Sequence, residues 1–149
     1  MEAPGTVTLS LISDYRLKVD FGLAGVPDLT TDAAPPLGRG QGPDSERLLM
    51  AAVGNCLTAS LAFSLRKYKN AEVAMQATVD ARLAPNEQGR LRMNSMSVVI
   101  RLGVPMASLR LAERALAQYE DFCVVTQSVR AAIPVDVKVF DSEGAPLTP

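Results

Sequence analysis

The sequence predicts an α+β fold, and three observations carry that prediction. Short alternating runs open the chain, one long apolar run occupies its middle, and two long strand-like segments follow. Strands that come in groups, rather than singly between helices, are the pattern of helices packed on antiparallel sheet. With 149 residues and 48% hydrophobic content, the chain has the size of one domain with a sizeable core. A single domain over residues 1–149 is therefore the expectation, and neither repeats nor low-complexity tracts interrupt it.

In chain order, TVTLSLISD and YRLKVDFG read as two strands of a meander, because Val7, Leu9 and Leu11 alternate with Thr6, Thr8 and Ser10. DLTTD is a candidate third strand. The linker DAAPPLGRGQGPDS is rich in Pro and Gly and reads as a loop that shapes the entrance of the next helix. That helix, Leu48 to Leu65, has about the length of a membrane span, but Gly54, Asn55, Thr58, Ser60 and Ser64 interrupt its apolar surface. A buried central helix is expected instead, capped by Asp44 or Ser45, with Glu46 complementing its positive end.

AEVAMQATVDARLAP and RLRMNSMSVVIRLG, joined by NEQG, read as the arms of a long hairpin with Val73, Met75, Ala77 and Val79 on one face. A second helix is expected from Met106 to Tyr119, with Leu109, Ala112, Leu116 and Tyr119 as its apolar stripe and Arg110, Glu113 and Arg114 facing water. Cys123 follows, then a short turn or helix, and VDVKVF alternates as a last strand. A helix as apolar as Leu48 to Leu65 also asks for more cover than one small subunit supplies, which points to an oligomer.

Composition narrows the chemistry. With 15 basic and 16 acidic residues, the chain offers no electrostatic case for binding nucleic acid or an anionic membrane. The N-terminus MEAPGTVTLS has no apolar core segment and does not read as a secretory signal, so a cytoplasmic location is expected. Histidine is absent, which excludes Ser-His-Asp and Cys-His machinery and any histidine-bearing zinc site. Cys56 and Cys123 are then the strongest nucleophiles, and a transient redox bond or two free thiols fits better than a structural disulfide. Each cysteine taken alone is more simply a small buried hydrophobe, Glu46 a surface acid and Arg39 a solvated side chain.

These residues gain meaning together. The stretch GPDSERLLMAAVGNCLTASL, with Glu46 ten positions before Cys56, and the stretch CVVTQSVRAAIPVDVKV resemble the two signature segments of the OsmC/Ohr family, the osmotically inducible and organic hydroperoxide resistance proteins. The wording NEQGRLRM and YEDFCVVTQSV is similar to a less characterised OsmC-like subgroup, and Val124 and Val125 stand where the family often has proline after its second cysteine. The resemblance implies an OsmC-like fold in an interlocked homodimer. It implies a peroxide-reacting Cys56, a resolving Cys123, Glu46 at the start of the central helix, and an arginine from the N-terminal part, either Arg39 or Arg16. It further implies a peroxidase that reduces alkyl or lipid hydroperoxides in oxidative stress defence, with no bound cofactor or metal and an external dithiol reductant of the lipoyl type.

Physical chemistry constrains those expectations. A thiol with an ordinary pKa of about 8.5 is mostly protonated at neutral pH, so a cation is needed beside the reacting cysteine, the role expected of Arg39 with Glu46 as its bidentate acceptor. Ten helical residues span about 15 Å and end roughly 80° off the starting face, so Glu46 cannot touch Cys56 along one straight helix. The arginine or a partner subunit must bridge them. Met50, Val53, Leu57, Phe63 and Tyr119 are candidates for an apolar pocket wall and equally for core. Two other readings are open: a non-catalytic dimer that binds a small apolar ligand or partner, and a carboxylate hydrolase using Glu46 with Asp44.

Overall fold

The structure, a computed structural model, describes residues 5–148. Residues 1–4, part of the segment read as lacking a secretory signal, lie outside the described residues. The chain forms two compact units, Met1–Leu49 and Met50–Pro149.

The first unit carries a three-stranded antiparallel sheet of β1 (Thr8–Ser13), β2 (Arg16–Asp20) and β3 (Leu29–Thr31), in that spatial order. The meander follows the predicted alternation: Leu9 lies opposite Val19 and Leu11 opposite Leu17, and Val19 in turn faces Leu29. Alternation did not ensure cover within one chain, since every residue of β1 is exposed, Leu11 by 68%. The loop after β3 leads to α1 (Ser45–Lys67). Asp44 is the cap, its Oδ1 accepting the Arg47 backbone N–H at 2.9 Å, while Ser45 Oγ donates instead to Glu46 Oε2 at 3.0 Å.

The second unit is a four-stranded sheet, β4 (Met75–Pro85), β5 (Leu91–Leu102), β6 (Val135–Phe140) and β7 (Pro146–Leu147), with the body of α1 and two short helices, α2 (Ala112–Leu116) and α3 (Val124–Arg130). The β4–β5 hairpin is antiparallel as expected, but β6 runs parallel to β5, with Met96 facing Val135 and Val98 facing Val137. A parallel neighbour needs a crossover of a dozen or more residues, and the helical stretch between β5 and β6 supplies it.

Helix α1 was expected to be buried nearly all round, and it buries one stripe: Val53, Gly54, Leu57, Ser60, Leu61, Ser64 and Leu65. That spacing of three and four is the periodicity of a single face. Gly54 allows a close approach to the sheet, since a Cβ there would stand 2.8 Å from Val79 Cγ2. The helix is long and apolar enough to cross a membrane by length and composition, yet its stripe lies in a core with Val98 and Ile100, both 0% exposed.

The helix expected over Met106–Tyr119 is broken. A 3-10 turn at Met106–Ser108 is followed by Leu111 in the left-handed region (φ 50°), then α2, then a second 3-10 turn at Tyr119–Phe122. The cause lies far away in sequence. The Asn70 amide accepts the Arg110 N–H at 2.7 Å and donates to the Arg110 carbonyl at 3.0 Å, taking both backbone groups that a continuous helix would use. Most of the predicted faces survive the break: Ala112, Leu116 and Tyr119 are buried, Leu109 is only half-buried, and Arg110, Glu113 and Arg114 are exposed.

Candidate active site

The second unit brings the two cysteines together. Cys56 projects half-buried from α1, and Cys123, with no exposed surface, sits just before α3. Both are free thiols. Burial pushes the Cys123 thiol up, the neighbouring Cys56 thiol adds to the rise, and Thr126 pulls it partly back. The Cys123 thiol donates to Thr126 Oγ1 at 2.8 Å, and Thr126 is itself 0% exposed.

The frame around the pair is polar but paired. Tyr119 is buried beside Cys123, and its phenol is pushed far up, first by burial and then by the Glu120 carboxylate. Glu120 is ion-paired with Arg130, which also donates to the Val135 carbonyl at 3.1 Å. This pairing ties the turn that carries Cys123 to α3 and to the start of β6. Ser64 Oγ donates to the Ala115 carbonyl at 2.9 Å, so α1 is also bonded to the segment that leads toward Cys123.

The other expected site residues belong to the first unit. Arg39 presents a side chain that is 73% exposed, with its guanidinium 4.0 Å from the Asp14 carboxylate. Its backbone, by contrast, is held: Asp32 Oδ2 accepts the N–H groups of Arg39 and Gln41, both at 3.1 Å. The Gln41 N–H is the first cause holding the Asp32 carboxyl below its usual range, against opposing burial, with the Arg39 and Ala33 N–H groups and the Arg16 charge assisting. Gly42 closes the loop, since a Cβ there would stand 2.2 Å from the Thr30 carbonyl oxygen. Arg16 donates to Gln41 Oε1 at 2.7 Å, and its buried Nε has no hydrogen-bond partner among the described residues. Arg16 and Arg39 thus line one cavity of about 190 Å³ with Asp14, Asp32 and Gln41. Glu46 stands in the first turn of α1, bonded to Ser45.

Of the apolar candidates, Val53 and Leu57 are 0% exposed and Tyr119 3%, so these three are core. Phe63 is 59% exposed and meets Phe122 edge to face, with ring centres 6.2 Å apart. Lys67 Nζ lies 5.7 Å from the centre of the Phe122 ring. Asp44 cannot serve as a free acid partner to Glu46, being both the helix cap and the ion-pair partner of Arg47.

Sequence reasoning passed over Thr126 and Asp32. The signal for Thr126 was present, a hydroxyl three residues after a cysteine at a helix start, which is capping-box spacing. Asp32 had only a weak one, an acid that opens a Gly-rich loop and can bond backbone N–H groups further on.

The model of the OsmC-like protein family matches residues 38–138. Among curated proteins, no sequence matches this one. Several solved structures share the fold. A candidate osmotic stress induced and detoxification response protein from Psychrobacter arcticus is 17% identical, with a TM-score of 0.74 over 93% of this chain and 98% of that one. An organic hydroperoxide resistance protein OsmC from Legionella pneumophila is also 17% identical, with a TM-score of 0.69 over 93% and 98%. The organic hydroperoxide resistance protein OhrB of Bacillus subtilis is 18% identical, with a TM-score of 0.66 over 90% and 96%.

Proposed function

The chain belongs to the OsmC-like protein family, and from that premise we propose that it is a cysteine-based organic hydroperoxide reductase of the peroxide-stress response. The observation that carries the reading is the meeting of two free thiols that are remote in sequence, one half-buried and one fully enclosed. The half-buried sulfur is the one a substrate can reach.

In the first step the Cys56 thiolate attacks the distal oxygen of an alkyl or lipid hydroperoxide. The O–O bond breaks, the alkoxide takes a proton and leaves as an alcohol, and Cys56 becomes a sulfenic acid, oxidised by two electrons. Cys123 then attacks that sulfur as a thiolate; an S–S bond forms, and hydroxide departs with a proton as water. An external dithiol, of the lipoyl type, returns the pair to thiols and is itself oxidised. Arg39 is proposed as the cation that favours the Cys56 thiolate and Glu46 as the acceptor that orients it, with Arg16 as the alternative arginine. The enzyme is proposed to work in the cytoplasm as a homodimer, a state supported by the exposed β1 strand and the uncovered side of α1.

A second reading, an OsmC-like dimer that binds an apolar ligand without catalysis, is favoured by one observation: burial holds the Cys123 thiol in its protonated form. Mass measurement after exposure to stoichiometric cumene hydroperoxide separates the two. Loss of two hydrogens supports the reductase, a gain of one oxygen marks a stalled sulfenate, and an unchanged mass leaves the binding dimer.

A further inference from the structure

We propose that Thr126 is a positioning residue for disulfide closure: its hydroxyl fixes the Cys123 sulfur toward Cys56 and turns to donate to that sulfur once the thiol loses its proton. The inference rests on the reading of Cys56 and Cys123 as a reacting pair, and it assigns the second step a residue of its own.

The geometry is that of a closed site. Cys123 and Thr126 both have no exposed surface, and Sγ and Oγ1 stand 2.8 Å apart. A threonine hydroxyl carries one donor and two acceptor sites, so the same contact serves both protonation states. It accepts from S–H in the resting protein and donates to S⁻ during closure. Burial favours the contact, because a hydroxyl sealed from water loses the solvent as a competing partner. The β-branched side chain is restricted about its first torsion to few states, and α3 carries its backbone.

The groups around Cys123 leave this task to Thr126. From α1 comes Cys56, the reaction partner itself, and from the preceding turn come Tyr119 and Glu120. A carboxylate opposes a second negative charge, and Tyr119 is held neutral by burial and by Glu120. Arg130 on α3 is committed to Glu120 and to the Val135 carbonyl. Thr126 draws the Cys123 thiol down while burial and Cys56 push it up, first through its hydroxyl and then through its backbone N–H, and only the hydroxyl is open to substitution. A protonated resting thiol spares Cys123 from peroxide, and a hydroxyl ready to donate lets it ionise when the sulfenic acid forms. Hydrogen bonds to charged groups support an effect of about tenfold to a hundredfold on the closure rate.

The test compares Thr126→Val, which keeps shape and removes the hydroxyl, with Thr126→Ser, which keeps the hydroxyl. First, Cys123 is titrated by thiolate absorbance in a Cys56→Ser background, where no peroxide chemistry is needed. The Val variant should titrate at higher pH and the Ser variant should return toward the parent. Second, with cumene hydroperoxide and a sulfenate trap, the oxidation of Cys56 should keep its rate while sulfenate-to-disulfide closure slows by about tenfold to a hundredfold in the Val variant and recovers in the Ser variant. Titration curves and closure rates that match the parent would overturn the proposal. If the parent consumes no hydroperoxide, the reductase reading fails and the closure role falls with it, whereas normal consumption with unchanged closure in the Val variant overturns the role of Thr126 alone. Should the Val variant not fold, Thr126→Ala against Thr126→Ser poses the same question, since they differ by the hydroxyl alone.

Discussion

Cys123 and Arg39 are held in opposite ways. Cys123 is enclosed, its sulfur bonded to a buried hydroxyl and its turn tied down by the Glu120–Arg130 ion pair. Arg39 has an ordered backbone, pinned by the Asp32 carboxylate, beneath a side chain that is 73% exposed. A nucleophile that must meet one particular sulfur benefits from packing, which fixes position at the cost of access. The role proposed for Arg39, a cation that reaches out to a thiolate, is compatible with a fixed base and a free head. Substitutions near the cysteines should therefore disturb structure and chemistry together, whereas those in the loop should separate them.

The sharpest contrast within the cysteine region is between the two thiols. Cys56→Ser should abolish hydroperoxide turnover, while Cys123→Ser should consume about one equivalent and stop at the sulfenate, because the proposed first step needs only the half-buried thiol. Normal turnover by the Cys56 variant would remove the assignment.

Next in size are two glycines that make close approaches, one in each unit. At Gly42 an added Cβ meets a backbone oxygen 2.2 Å away, which cannot swing aside, whereas at Gly54 it meets a side-chain methyl at 2.8 Å. Overpacking costs about 1–3 kcal/mol, and alanine in a helix interior recovers about 1 kcal/mol over glycine. Gly54→Ala should thus lower stability by about 0–2 kcal/mol in denaturant unfolding. Gly42→Ala has no helical gain to offset it and should lie at the upper end of the overpacking range, about 3 kcal/mol. A Gly42 variant as stable as the parent would show that the loop yields freely.

Acid sensitivity compares the loop with its counterpart in the second unit. Asp32 and Asp141 are both held below the usual carboxylate range by backbone N–H donors, those of Gln41 and Met106 foremost. A carboxyl whose native pKa is depressed stabilises the fold fully above its unfolded value, about 3.9, and that stability is lost as pH falls through the native value. Asp32→Asn should flatten the part of the acid unfolding profile that arises in the first unit and leave the part due to Asp141. Unchanged acid unfolding in the variant would mean that the loop contributes nothing to it.

The smallest structural effect is expected at Arg39. An exposed pair such as Arg39–Asp14 contributes about 0–1 kcal/mol, so Arg39→Ala should unfold within about 0.5 kcal/mol of the parent while oxidation of Cys56 by hydroperoxide slows. Arg39→Lys should recover only part of the rate, since an ammonium lacks the planar fork that joins a carboxylate and a sulfur. If both variants react at the parental rate, Arg16, with its unpaired Nε on the same cavity, becomes the activating arginine.

Periodicity made the local elements legible. Alternation from Val7 to Leu11 located β1 and the long apolar run located α1, because a strand sends successive side chains to opposite faces and a run of that length is too long for a strand. The spacing of Glu46, Cys56 and Cys123 and the wording around them pointed to the family, whose model matches residues 38–138. What periodicity could not convey was decided by contacts between distant segments. Asn70 broke the helix at Arg110, a crossover turned β6 parallel to β5, and packing left β1 exposed while enclosing Cys123. Local sequence sets which face an element can bury, and only the tertiary arrangement decides what covers that face and which polar groups are sealed beneath it. Cys56 and Cys123 were therefore readable as candidates from the chain alone, while the partnership of Cys123 with Thr126 and the hold of Asp32 on the Arg39 loop came from folding, which removes water and leaves each buried donor to the acceptor that packing supplies.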